Sequence, residues 1–476
     1  MQYGRSLSAQ AVSRVVYIVA GAAVFVMLAR LLGPEDFGAF AWAATFLAVA
    51  CTLADLGMTP ILARDLVATG PQRDVWLANF LVLRLLLGVA VAPIVALAVA
   101  LMAPQDLHAV LWAAVLVLPL LAARFFDPIF QVIGRPWLAL PMAILYAVAS
   151  IGAALAGAFS ADPVHMTILA SIGAGALYGA VGLLATLHLL RPKLRAVSLG
   201  GVHGVARTVT PMALSSLMAA LATRIDIFVI AEVGTEAMVG LYGAAYRFMD
   251  LGAAVIITVL APLLAVFAAL KAEPKRLLAG FHAMLRLIAS TSIACGILAI
   301  GLAAPVMTLV YGADYAPAST ALALLAWKFV LAFVNMTLFA LVLTCAPIGY
   351  SVWNMAASVV VTGGLAALLV PDHGIAGAAF AALMAELGQL AVNLYMARRA
   401  RLGAVELGWW ARVLAATSAG LGVALLPWAG AGELANVVTA IAGTLVFAAL
   451  LAMLRALPVN PLPALAIARR QDAPAE

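Results

Sequence analysis

Five basic side chains stand inside stretches of apolar sequence: Arg14, Arg84, Arg224, Arg247 and Lys328. The acids Asp226, Asp250 and Glu386 do the same, with Asp55 and Asp127 nearer the ends of theirs. The chain is 66% hydrophobic and 10% charged. A soluble domain carries about 25% charged residues, so these stretches read as membrane spans. A charge at the centre of a span costs at least about 2.5–3.5 kcal/mol, so each one asks for a reason. Arginine forks match the oxygens of a multiply negative phosphate group, and lysine adds a point charge. The basic set therefore reads as a pyrophosphate-type anion site facing a wet cavity. A carboxyl in a low dielectric can hold a proton or Na⁺, so Asp226, Asp250 and Glu386 read as ion-coupling candidates. Asp226 and Glu386 are the best placed, lying furthest from the nearest cytoplasmic end.

Each of these residues also has a structural reading. Arg14 lies within a turn of a span end and can snorkel to lipid phosphates. Arg30 can pair with Glu35 or Asp36. Arg84, Arg224 and Lys328 lie too deep for snorkelling, which favours a cavity role. Arg247 and Asp250 are three apart on one helical face, as are Arg124 and Asp127, so a local pair competes with binding. Arg224 and Asp226 are two apart and diverge, and Asp55 suits a cap or an inter-helix pair. Cys51, Cys295 and Cys345 sit in apolar stretches as small hydrophobes, and the six histidines show no ligand spacing, so no metal site is expected. No phosphate-binding loop of the Gly-x-x-x-x-Gly-Lys-Ser/Thr type occurs, which argues against direct ATP drive. Trp76, Trp137, Trp409 and Trp410 suit the interfacial belt better than sugar binding.

The elements that must carry these charges are helices. Ala11–Leu31 reaches about 30 Å at 1.5 Å per residue, the thickness of a bilayer core. It is too long for a signal peptide, and no small-residue cleavage site precedes the next span. Gly33-Pro34-Glu35-Asp36-Phe37-Gly38 then stops the helix and reverses the chain. The same plan predicts 14 spans: 11–31, 37–58, 75–101, 108–131, 137–158, 164–190, 208–232, 237–269, 279–304, 317–346, 350–370, 374–396, 411–428 and 434–456.

Alternate turns differ in charge. One set carries Glu35 and Asp36, Asp106, Asp162, Glu232 and Glu236, Asp314, Asp372, and Glu433, with no lysine or arginine. The other carries Arg64 and Arg73, Arg135, Arg191, Lys193 and Arg195, Lys271, Lys275 and Arg276, and Arg398, Arg399 and Arg401, with Arg469 and Arg470 in the tail. The net charge of +6 is thus an orientation signal, with both termini expected in the cytoplasm. No loop is long enough for a soluble domain.

Leu32–Phe40 is echoed, with one inserted residue, by Val233–Tyr242. The echo pairs span 7 with span 1 and predicts two six-span lobes with two spans appended: 1–195, 196–400, and 401–476 with its cytoplasmic tail. At the same residues the sequence resembles a known group. Leu28–Met58 resembles the opening of the Wzx-type polysaccharide flippases, and Arg224–Phe248 their seventh and eighth spans. Val310–Trp327 resembles the lead into their span 10, and His373–Leu390 their span 12. The resemblance implies the multidrug/oligosaccharidyl-lipid/polysaccharide (MOP) exporter superfamily. It implies an all-α membrane fold of 14 helices, with two six-helix MATE-like lobes around a central cavity. It also implies movement of an undecaprenyl-pyrophosphate-linked oligosaccharide across the bacterial inner membrane.

The expectation is therefore a flippase without a bound cofactor, driven by an H⁺, Na⁺ or substrate gradient. Its partners would be the lipid-linked oligosaccharide, membrane lipids and polysaccharide polymerase machinery, and not nucleic acid. A MATE-like multidrug/cation antiporter predicts an acidic cavity, against which the deep arginines and lysine argue. A polysaccharide polymerase or O-antigen ligase would carry a large outer loop, which this chain lacks.

Overall fold

The computed structural model describes residues 2–59, 62, 73–123, 126, 129–130, 135–271, 273–343, 349–399, 406–426 and 433–456. Arg64, Arg124, Asp127, Cys345, Arg401, Arg469 and Arg470 lie outside the described residues. Those described form helices and turns, with no strand among them. The α-helices are α1 (Gln2–Asp55), α2 (Arg73–Met102), α3 (His108–Leu121), α4 (Ala139–Ala158), α5 (Pro163–Leu190), α6 (Leu199–Ala222) and α7 (Ile225–Val233). They continue as α8 (Glu236–Ala269), α9 (Pro274–Tyr311), α10 (Ser319–Leu343), α11 (Gly349–Arg399), α12 (Leu407–Ala424) and α13 (Glu433–Met453).

Two of these are each a pair of spans joined at a kink. α1 turns at Gly33 (φ 78°, ψ 172°), directly before Pro34, and α11 turns at Gly374 (φ 55°, ψ −141°). Both glycines hold a positive φ that a side chain would resist, and each marks a turn that the sequence predicts. With these two divisions, every expected span has a helical counterpart. Span 7 differs in being broken: α6 ends at Ala222 and α7 begins at Ile225. The Thr223 hydroxyl donates to the Ala219 and Ala220 carbonyls, and the Arg224 amide reaches back only to Leu221 at 3.0 Å. The last turn thus tightens before the helix restarts at Ile225.

Among the described residues, eight helices are long and apolar enough to cross a membrane. Their surface is the reverse of a soluble protein's. α2 exposes Leu86, Val89, Ile94, Leu97 and Leu101, the last at 75%. Such a stripe is stable only against hydrocarbon, and helices satisfy their own backbone there.

The chain forms two compact units: Met1–Ala231 with Thr235–Gly240, and Glu232–Gly234 with Leu241–Glu476. In the first, α1 packs on α2, α4, α5 and α6, and α3 and α4 pack on α5. Because α6 also packs on α2, this unit runs past residue 195 and takes in most of span 7. Ser198 caps α6, accepting from the Gly201 amide at 3.1 Å, while the Ser198 amide donates to Asn79 Oδ1 at 3.1 Å. In the second unit α10 packs on α9 and α11, and the paired α12 and α13 dock on α9. Arg286 Nε of α9 donates to Glu406 Oε2 at 3.0 Å, and Trp409 Nε1 donates to the Ala456 carbonyl at 3.0 Å. The two appended spans are thereby fastened to the second unit's core.

Small residues set how closely helices meet. A Cβ on Gly179 of α5 would overlap the Leu120 carbonyl of α3, whereas one on Gly173 of the same helix meets nothing within 4 Å. Gly179→Val should therefore cost about 1–3 kcal/mol by overpacking, while Gly173→Val should leave stability unchanged. Thermal unfolding of the two detergent-purified variants, followed by tryptophan fluorescence, checks the contrast.

Candidate functional site

The charged residues singled out by sequence fall into two groups, one in each unit. In the first, Arg84 of α2 is 3% exposed. Its NH2 donates to the Ala122 carbonyl at the end of α3 at 2.6 Å, and its NH1 forms an ion pair with Asp55 at the end of α1. The Thr59 hydroxyl donates to the same carboxylate at 2.7 Å. Arg84 was expected to face a phosphate group. Its guanidinium is instead committed to a clamp that ties the ends of α1 and α3 to the interior of α2. The reason is physical: a charge this deeply buried needs a partner within the protein.

Arg224 and Asp226 flank the break in span 7. Arg224 is in the connecting turn, partly buried, and its carbonyl accepts from the Ile227 amide at 3.2 Å. Asp226 is 1% exposed and its Oδ1 accepts from the Ile227 amide at 2.9 Å. A broken helix at membrane depth is where backbone and side-chain polar groups are presented together, so the interruption raises the standing of both residues. Arg14 is exposed on α1. One turn on, Tyr17 stacks on Tyr146 of α4 with centroids 4.2 Å apart, beside Tyr178 of α5.

In the second unit, Arg247 and Asp250 of α8 form the i,i+3 pair their spacing allows, at 3.4 Å. Lys328 of α10 donates to the Tyr246 hydroxyl at 3.4 Å and stands 5.1 Å from that ring's centroid. Glu386 of α11 is held by Asn335 of α10, whose Nδ2 donates to both the Glu386 carboxylate and its carbonyl at 2.8 Å. Asn393 donates in turn to Asn335 Oδ1 at 3.1 Å, and Gln389 donates to Ser358 at 3.0 Å. Asn335 and Asn393 are 5% and 1% exposed. The result is a polar seam across α10 and α11 with one carboxylate in it.

Sequence reasoning weighed formal charges and passed over Asn335, Asn393 and Tyr246. The available signal was the side-chain amide itself, since an asparagine in an apolar span also needs a partner.

Outside the spans, the charged turns of the first unit gather acids. The Asp162 carboxylate caps α5 and is held below its ordinary range by the hydrogen bond from His165. Glu236, at the start of α8, is pushed the other way, by partial burial first and then by the negative charges of Asp106, Glu35 and Asp36.

Comparisons with known proteins agree with this architecture. The family described as "Polysaccharide biosynthesis protein" matches residues 27–320. No curated protein matches the chain. Among solved structures, the chain is similar to the lipid II flippase MurJ in an inward closed conformation. The TM-score is 0.70 at 13% identity, over 92% of this chain and 98% of that one. It is also similar to a multidrug resistance MATE family transporter of the MOP superfamily in an inward-facing conformation. There the TM-score is 0.65 at 18% identity, over 81% of this chain and 94% of that one. The expected all-helical membrane fold, similar to those of the MurJ and MATE structures, is thus the fold of this chain.

The Arg84 clamp makes a stability prediction. Arg84→Ala leaves the partly buried Asp55 carboxylate without its cation, though still bonded by Thr59, and should cost about 1–3 kcal/mol. The Asp55→Ala, Arg84→Met double variant should cost clearly less than the sum of its single changes. Thermal unfolding of the four proteins in one detergent measures the coupling, and additive losses would mean that the two side chains do not act as a pair.

Proposed function

The chain belongs to the polysaccharide biosynthesis protein family of membrane transporters, and on that footing we propose that it is a flippase for an undecaprenyl-pyrophosphate-linked oligosaccharide. The observation that carries this reading is the excess of basic side chains inside the spans, within a family of this description. The prenyl tail stays in the bilayer while the charged head crosses. Each unit carries positive charge of its own for such a head: Arg14 and Arg224 in the first, Arg247 and Lys328 in the second. Arg84 acts one step back, tying α1, which carries Arg14, to α2 and α3.

The protein works by alternating access in the bacterial inner membrane with both termini in the cytoplasm, the orientation that the alternating loop charges support. A bias between inward and outward states needs something that binds the two differently. Glu386 is the foremost candidate for H⁺ or Na⁺ coupling, because Asn335 fixes its carboxyl within the polar seam of α10 and α11. Asp226 is the counterpart in the first unit, and Asp250 is occupied by Arg247. Membrane lipids and the polymerase that consumes the delivered repeat unit are the partners this activity entails.

A MATE-like cation antiporter is the second reading, favoured by the fold similarity to such a transporter and by Glu386 itself. Proteoliposomes separate the two. The parent protein should move a labelled undecaprenyl-pyrophosphate oligosaccharide between leaflets, and Arg224→Ala with Lys328→Ala should slow this by about tenfold or more, the loss of one to two charge-assisted bonds. Glu386→Gln should retain movement without a gradient and lose its response to an imposed H⁺ or Na⁺ gradient. Transport of drug cations in place of the lipid would assign the chain to the antiporter reading.

A further inference from the structure

The two echoed turns meet. Gly38 and Gly240 occupy equivalent places in Leu32–Phe40 and Val233–Tyr242. A Cβ on Gly38 would overlap the Glu236 carbonyl, and one on Gly240 would overlap the Pro34 carbonyl and lie 3.0 Å from the Gly38 nitrogen. The contact is reciprocal and runs backbone to backbone, with each glycine under the other turn's carbonyl. Both segments, Pro34–Gly38 and Glu236–Gly240, belong to the first compact unit. Phe37 and Ala39 beside them are buried, at 0% and 8% exposure.

The same contact brings like charges together. Glu236 feels Asp106, Glu35 and Asp36, and no cation is among the influences on it. Other titratable side chains on the surrounding elements are Arg30 and Glu232, at the ends of spans 1 and 7, and His165, whose ring is taken up by Asp162 and the Asp106 carbonyl. Acids in the first turn of a helix are ordinarily stabilised as anions by the helix dipole. Glu236 is displaced in the opposite direction, by partial burial first and by the neighbouring acids second.

We propose that these two turns form a proton-responsive outer seal, closed by the glycine contact and driven apart by ionised carboxylates. The sign follows from linkage. A carboxyl that keeps its proton more tightly in the closed form favours closure when protonated. Closure is fully favoured below the ordinary carboxylate range and is lost as pH rises through the raised Glu236 value. A proton arriving from the outer face would then help to reset the transporter after release, without entering the membrane interior. Only the word "outer" rests on the orientation proposed above; the seal itself requires no particular substrate.

The test needs no transport. In a protein with Cys51, Cys295 and Cys345 replaced by serine, Ala39→Cys reports on the seal and Asp372→Cys, on an exposed turn, corrects for reagent chemistry. A membrane-impermeant maleimide is applied to one face of oriented vesicles at about pH 4 and about pH 8, at the foot of the ordinary carboxylate range and well above it. Relative to Asp372→Cys, Ala39→Cys should react severalfold faster at the higher pH. Glu236→Gln should be slow at both, and Gly240→Ala should be fast at both. Equal labelling at the two pH values in the parent, or Glu236→Gln behaving as the parent, overturns the proposal. The Glu236→Gln arm decides the matter even where Gly240→Ala does not fold. The same pattern seen only from the opposite face would refute the orientation and leave the seal standing.

Discussion

Hydrocarbon offers a polar group nothing to bind, and every feature of this chain answers to that. Backbone amides and carbonyls are satisfied inside helices, so the described residues are helical almost throughout. Side chains that a soluble protein would bury are turned outward, as on α2. The few charges that remain inside must each find a partner or a function. Arg84 finds Asp55 and a carbonyl; Glu386 finds an asparagine. The difference between these two solutions is the most informative feature of the interior. An arginine clamped to a carboxylate is electrically neutral as a pair and works as a fastener. A carboxyl held by a neutral amide can exchange a proton or attract a cation without breaking that hydrogen bond.

The span pattern was legible because it depends on local rules: apolar length, glycine and proline at turns, and loop charge. Gly33-Pro34 and Gly374 stop helices in the structure where they stop them in the sequence reading. What was not legible depends on which helices are neighbours. Nothing in the spacing of Asp55 and Arg84 shows that they meet, since the helices bearing them could have packed elsewhere. The break at Thr223–Arg224 was hidden because no glycine or proline stands there; a threonine hydroxyl and a shortened turn produce it. Asn335 and Asn393 escaped because hydropathy hides a single amide within a long apolar run, although an amide needs a partner there as an ion does.

These differences narrow the working residues. Arg84 and Asp55 stabilise the first unit, and Arg286 with Glu406 fastens the appended helices to the second. Arg224 and Asp226 stand at an interruption in their helix, Lys328 stands over a tyrosine, and Glu386 belongs to a seam of amides. The residues tied into ion pairs between helices are poor choices for handling a passing ligand, because releasing the pair costs more than the ligand contact returns. Those held by hydroxyls, amides and ring faces can exchange partners at lower cost. On this argument the transport chemistry proposed above falls to the second unit's seam and the span 7 interruption in preference to the Arg84 clamp.

The echo between Leu32–Phe40 and Val233–Tyr242 looks at first like a trace of duplication and no more. The contact between the turns gives it a physical reason in this molecule. Two helices that meet backbone to backbone at their first turns each present a carbonyl to the other, and only a residue without a Cβ fits beneath it. A reciprocal contact imposes the same demand on both sides, so both turns carry glycine at the matching place. The acids beside the glycines face a contrary demand, since Glu236 in the closed contact is partly buried and lies within the field of Asp106, Glu35 and Asp36. Packing therefore favours the closed arrangement and electrostatics opposes it, and the balance shifts with the protonation of a single group, Glu236.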